Sequence, residues 1–399
     1  MPYKCLSKER KIYFREESAK AIDNVAKIVL DFDGVLVYTL QSYYANIRKV
    51  VEYYFLEILK LEEGRGNRRL VTFKDIQGFK DTGLYNNDWT LTHTVITYYL
   101  NILVRKLQQR QVLDDFIKQF SGIQFSEISS FIKKLREIGN YCKRQGVDVT
   151  ELTNIKNDSV LGMESFLKRV GEGRQPFEKL LTGVLPREKS TQLNFIKKLV
   201  PYSMDKPDLL RRLFEESYLG KELFKKFYGI PPVFNFDECF LEKEEIIPTK
   251  ETLNSFYSKF GELAVYSEKP RNQAMYLMEK NGFREYFDGN GLVFQEDINK
   301  SGSVQLGKPN PTVLIEMIET LGWEVDNVAY VGDTIADLLL VKNARLQGLS
   351  NILFFGVLCS SQSLNNLLSQ FMRQDADAII TDVNDVPYLY ASLRGEISK

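Results

Sequence analysis

The sequence predicts an α/β fold, a doubly wound parallel sheet interrupted by a long all-α insertion. Two observations carry that expectation. Short, wholly apolar runs recur towards both ends of the chain: Ile28-Val29-Leu30, Leu263-Ala264-Val265-Tyr266, Val328-Ala329-Tyr330-Val331, Ile352 to Phe355 and Ala378 to Ile380. Strands covered on both faces need no polar alternation, and helical stretches separate the later runs, which is the pattern of a parallel sheet. Between the first run and the second, by contrast, the chain keeps a helical period and shows no strand alternation. At 399 residues the chain also exceeds the size at which one core keeps growing. Two domains are expected: an α/β core of residues 1–40 and 247–399, and a helical domain of residues 41–246.

In chain order, Arg15 to Val25 reads as a short helix leading into the first strand. That strand delivers Asp31-Phe32-Asp33-Gly34, two carboxylates one residue apart and a glycine that permits a sharp turn. Ligands of open α/β sheets bind beyond the carboxyl ends of the strands, so Asp31 and Asp33 are candidate site residues. From Thr39 to Leu61, apolar residues such as Tyr43, Ile47, Val50, Val51, Tyr54 and Ile58 recur at three- and four-residue steps, a helix. Asp88 reads as the N-cap of a helix from Trp89 to Gln109. Helices continue to about residue 230, with breaks expected at Ser121-Gly122, Gly139-Asn140, Gly171-Glu172-Gly173, Pro186 and Pro201. Pro231-Pro232 ends the helical run, and Phe236 to Pro248 is a connector.

The pattern then changes. A helix from Thr249 to Phe260 precedes the second strand, which ends at Ser267. A helix from Asn272 to Gly282, an irregular stretch Asp288-Gly289-Asn290-Gly291, and Gly307-Lys308-Pro309-Asn310-Pro311 follow. A helix from Thr312 to Leu321 leads to the strand Asn327 to Val331, which delivers Gly332-Asp333-Thr334-Ile335-Ala336-Asp337.

Composition narrows the chemistry. Fifty-three basic residues balance 53 acidic ones, so no global field recruits nucleic acid or an anionic membrane. No apolar run reaches the ~18 residues of a membrane span, and the N-terminal stretch lacks a signal-peptide core. The four cysteines are far apart with no Cys-x-x-Cys spacing, which argues against a zinc site or a disulfide framework and for a cytoplasmic location. The single histidine, His93, lies at the start of an amphipathic helix with no metal-ligand partner spaced around it, and reads as structural. Carboxylates, hydroxyls and lysines must carry the chemistry.

Taken together, Asp31-Phe32-Asp33-Gly34-Val35-Leu36, Val265-Tyr266-Ser267, Gly307-Lys308-Pro309-Asn310-Pro311 and Gly332-Asp333-Thr334-x-x-Asp337, trailed by Lys342-Asn343-Ala344, resemble the four ordered motifs of the haloacid dehalogenase (HAD) superfamily. The resemblance covers about residues 27–38 and 249–385. It implies a Rossmann-like core with an enlarged helical cap between the first and second motifs. It further implies that Asp31 is a nucleophile forming an aspartyl-phosphate and that Asp33 serves as general acid and base. Mg²⁺ would be held by the side chains of Asp31 and Asp333 and the backbone carbonyl of Asp33. Ser267 and Lys308 would bind phosphoryl oxygens, and Asp337 would orient the metal or Lys308.

Retention of Asp33 favours phosphate monoester hydrolysis over dehalogenation. The expected function is therefore a Mg²⁺-dependent phosphatase acting on a small phosphorylated metabolite, with neither nucleic acid nor membrane as a partner. A phosphomutase shares every core residue and is the alternative enzyme; a protein-binding module on a regulatory phosphatase core is the alternative outside catalysis. The sequence leaves the substrate's identity and the oligomeric state open. Lys80, Asn86, Asn87 and Asp88 form a polar run beside Trp89, and are the candidate substrate-recognition residues of the cap.

Overall fold

The computed structural model describes residues 3–62, 69–82, 85, 87–155, 158, 162–172, 190–201, 208–298, 306–361 and 363–396. The chain divides into two compact units, residues 1–41 with 243–399, and residues 42–242.

The first unit contains the strands β1 (Tyr3–Ser7), β2 (Ile12–Arg15), β3 (Val25–Leu30), β4 (Val37–Tyr38), β5 (Glu245–Ile246), β6 (Leu263–Tyr266), β7 (Phe287–Val293), β8 (Asn327–Gly332), β9 (Ile352–Val357) and β10 (Ala378–Ile380). Among the described residues, eight of them form one sheet in the order β1-β2-β10-β9-β8-β3-β6-β7. From β7 to β10 across the sheet all neighbours are parallel. After β3 the sheet grows on one flank through β6 and β7. The chain then crosses to β8 on the other flank and grows outward again through β9 and β10. The winding therefore reverses at β3, and a crevice opens beyond its carboxyl end. The apolar runs that predict these strands are buried throughout: Ile28, Val29 and Leu30, all of β6, and Val328 to Val331. Burying each such Val, Leu or Ile contributes about 1.5–3 kcal/mol.

Two features of this unit differ from the sequence expectation. The N-terminal segment forms an antiparallel hairpin, β1 with β2, that extends the sheet antiparallel to β10 before the helical turns Glu16–Ser18 and Ala19–Asp23. Its signal is only the four-residue alternation of buried Ile12 and Phe14 with half-buried Tyr13 and Arg15. The stretch Asp288 to Gly291 is part of strand β7 rather than irregular. The β6–β7 register shifts there, and Gly291 lies so close to β6 that a Cβ would sit 3.0 Å from Ala264 Cβ. The glycine marks close backbone approach, not a turn.

The second unit contains helices and no strand among the described residues. The helix Asp88–Gln109 is its centre: Leu91, Val95, Ile96, Tyr98, Tyr99, Leu103 and Leu107 are buried around its circumference. A helix apolar on every side is an interior helix. The helix Ile128–Arg144 runs straight through Gly139, where a break was expected. Here a Cβ would lie 1.6 Å from the backbone oxygen of Leu59, so the glycine admits a neighbouring chain. The helix Leu113–Phe120 ends at Ser121 and the helix Ser190–Leu199 ends before Pro201, both as expected. The expected break at Pro186 lies outside the described residues.

Candidate active site

Asp31 directly follows β3 and prolongs its ladder, donating its N–H to Val331 O at 2.9 Å. Gly34 then turns the chain with φ +78°, closed by its N–H donating to Val37 O at 2.8 Å. A Cβ on Gly34 would fall 2.0 Å from Asp333 Oδ2, so only glycine lets the β3 loop reach the residue that follows β8. Ser267 follows β6 in the same way, its N–H donating to Val293 O at 3.0 Å. Three adjacent parallel strands thus deliver Asp31, Ser267 and Asp333 at their carboxyl ends.

Lys308 joins them from the loop before the helix Thr312–Thr320. Its Nζ lies 2.6 Å from Asp31 Oδ2 and 2.7 Å from Asp337 Oδ1, with the side chain 2% exposed. The loop is fixed by the Lys308 N–H donating to Glu268 Oε1 at 3.0 Å and by Asn343 Nδ2 donating to Pro309 O at 2.9 Å. Burial alone would lower the Lys308 ammonium, but Asp31 and Asp337 beside it hold it well above the usual lysine range. Burial pushes the Asp31 carboxyl up; Lys308 opposes that shift, and the charges of Asp337 and Asp333 reinforce it.

Asp337 opens the helix Ile335–Leu346 in a capping box, accepting from Thr334 N at 3.0 Å and Thr334 Oγ1 at 2.6 Å. Its other oxygen accepts from Tyr330 Oη at 3.1 Å and meets Lys308. Carboxylate oxygens of Asp31, Asp333 and Asp337 all lie within 4.8 Å of one another. Asp337 is occupied by the cap, the tyrosine and the lysine, which suits it to orienting Lys308. Asp31, Asp333 and Asp337 are the carboxylates that could hold a cation here, and oxygen-only donors suit a hard divalent ion.

Sequence reasoning missed three participants. Lys269 is buried, its Nζ 2.9 Å from Asp33 Oδ1 and 3.0 Å from Glu244 Oε2. Ser360, in the loop after β9, donates its hydroxyl to Asp333 Oδ2. The available signal for Lys269 was spacing: it lies two residues past Ser267, as Asp33 lies two past Asp31. Glu244 and Ser360 carry no local signal.

In the helical unit, Lys80 Nζ pairs with Asp88 Oδ1 at 2.8 Å. The N-cap of the helix Asp88–Gln109 is Asn87, not Asp88, because the Asn87 side chain accepts from Thr90 N at 3.0 Å. Asp88 is one residue too late to leave its own backbone outside the helix. Asn86 lies outside the described residues. Burial lowers the His93 pKa to about 4, against a bond to the Val200 backbone that partly offsets it. Among the described residues, no helix is long and apolar enough to cross a membrane.

Residues 235–349, which include Ser267, Lys308, Asp333 and Asp337, match the family model of the haloacid dehalogenase-like hydrolases. A curated phosphoglycolate phosphatase from Vibrio parahaemolyticus is 27% identical over 126 residues, 31% of this chain and 48% of that protein. The match thus spans about half the length of that relative. A crystal structure from a structural genomics consortium, 19% identical, covers 93% of this chain and 100% of its own with a TM-score of 0.61, a shared fold. A predicted phosphoglycolate phosphatase from Haemophilus somnus aligns over 92% of this chain and 98% of its own, with 12% identity and a TM-score of 0.40.

Proposed function

We propose that this chain, whose residues 235–349 match the haloacid dehalogenase-like hydrolases, is a Mg²⁺-dependent phosphatase acting on a small phosphate monoester. The observation that carries the reading is the meeting of Asp31 with Lys308 at 2.6 Å on the strand where the sheet winding reverses, with Asp333 beside them. The Vibrio relative is named a phosphoglycolate phosphatase, which supports hydrolysis of a small phosphorylated substrate.

In this reading an Asp31 carboxylate oxygen attacks phosphorus while the bond to the leaving oxygen breaks in line. Asp33 gives its proton to that oxygen, and then takes one from the water that attacks the aspartyl-phosphate, releasing phosphate and restoring Asp31. Lys308 and the Ser267 hydroxyl stabilise the phosphoryl oxygens. Bound Mg²⁺, held by Asp31, Asp333 and the Asp33 carbonyl, would offset the repulsion between these carboxylates and the phosphate. The Gly34 turn and the close approach of Asp31 to Asp333 fit such an ion.

The inserted helical unit is proposed as the cap that selects the substrate, with the segment from Lys80 to Thr90 as its recognition element. Lys80→Ala, which removes the pair with Asp88, should raise KM or change substrate preference; an unchanged kcat/KM leaves the segment a helix cap alone. A cytoplasmic location belongs to the same proposal. A screen of phosphorylated metabolites with and without Mg²⁺ tests the whole reading. Turnover that needs Mg²⁺ and stops with EDTA supports it, whereas turnover that survives EDTA, or none at all, sinks it. Net transfer of phosphate between two positions of one sugar, without release, would identify a mutase.

A further inference from the structure

We propose that Lys269 is a positioning residue for Asp33, and that it links this carboxylate to the ribbon through which the chain leaves and re-enters the α/β unit. The inference deepens the phosphatase reading and rests on it.

The Lys269 side chain is wholly buried, and its Nζ donates to carboxylates: Asp33 Oδ1 at 2.9 Å, and Glu244 Oε2 and Oε1 at 3.0 and 3.2 Å. Its backbone is tied down as well. The N–H donates to Ser267 Oγ at 3.3 Å, and the carbonyl accepts from Gln295 N at 3.2 Å. A lysine stem fixed at both ends is a rigid strut, unlike the usual mobile surface lysine.

The strut touches an unusual pair. Asp33 keeps a side chain 28% exposed, so one oxygen is pinned while the group stays reachable by substrate. Glu244 is fully buried and immediately precedes β5. β5 pairs antiparallel with β4, Val37 opposite Ile246 and Tyr38 opposite Glu245, and Val37 also bridges to Asp33. Asp33 is therefore held to the same two-stranded ribbon twice, through backbone at Val37 and through Lys269 at Glu244. A general acid must sit within hydrogen-bond reach of the leaving oxygen, and a buried ion pair sets that geometry more firmly than a rotamer preference.

The test uses Lys269→Met, which keeps the stem and deletes the charge, with 4-nitrophenyl phosphate and Mg²⁺. That leaving group needs little protonation, so aspartyl-phosphate formation should remain fast while hydrolysis of the intermediate, which needs Asp33 as base, slows. The expected result is a burst of one equivalent of 4-nitrophenolate, then turnover slowed about 10²-fold with KM little changed. In an Asp33→Asn background the same substitution should add no further loss. Glu244→Gln with Lys269→Met removes both buried charges, and should show the same kinetics if the single variant folds poorly. Loss of burst and steady state together, losses that multiply with Asp33→Asn, or full activity in the variants would each overturn the positioning role. A wild-type protein that releases no 4-nitrophenolate overturns the phosphatase reading, and this inference with it, before any variant is made.

Discussion

Both units bury carboxylates, and they answer them in different ways. In the helical unit Glu216 accepts from the Val233 and Phe234 N–H groups at 2.7–2.8 Å and from Arg212. Its neighbour Glu215 accepts from the Trp89 indole and the Tyr228 hydroxyl, each at 3.0 Å. One guanidinium works there beside backbone and neutral donors, and together they fix a loop and a helix face. At the strand ends of the α/β unit, ammonium groups are instead shared between carboxylates: Lys308 between Asp31 and Asp337, and Lys269 between Asp33 and Glu244. With Asp333, the ion pairs there set five carboxylates against two ammonium groups. Burial of charge is common to both regions; what marks a site is charge left in excess at the strand ends, where a cation and a phosphate would meet it.

That contrast can be broken most directly at Asp31. Asp31→Asn should remove turnover by ~10²-fold or more while the folded circular dichroism spectrum is kept, because an amide is no nucleophile. Full activity in that variant would deny the strand ends their role.

Gly139→Ala probes the other unit through packing alone. In an exposed helix this change stabilises by about 1 kcal/mol, but here the new methyl group meets the Leu59 backbone oxygen, and about 3 kcal/mol should be lost. Chemical denaturation reads the sign. Glu216→Gln should cost about 2 kcal/mol by weakening acceptance from Val233 and Phe234, with kcat unchanged at a temperature where the variant is folded. A fall in kcat there would mean that the two kinds of buried carboxylate do not differ as argued.

The smallest effect concerns His93 and pH. Its folded pKa, lowered to about 4 from 6.5, means that the unfolded chain binds the proton first as pH falls. Stability from this residue is complete above pH 6.5, declines between there and about pH 4, and is level below. Allowing for a ring that is partly exposed, the decline should be about 2 kcal/mol. His93→Gln should flatten the stability profile over that window; an unchanged slope would place the acid sensitivity elsewhere.

The sequence by itself determined five of the six parallel strands, all but β7, and the polar residues that close three of them. A strand buried on both faces must be an unbroken apolar run, and a residue at its end is polar for a local reason, so Asp31, Ser267 and Asp333 are legible one segment at a time. Lys308 could be placed by its order among them. Only the tertiary structure decided what those residues touch. The Lys269–Asp33 pair spans 236 positions and the Asp31–Lys308 pair 277, and nothing near a lysine in the chain says whether it will be buried between two carboxylates. The same limit hid the hairpin against β10, and made Gly139 and Gly291 look like breaks. A glycine's local meaning is freedom to turn, while its meaning here is the approach of a second chain segment, which exists only once the chain has folded.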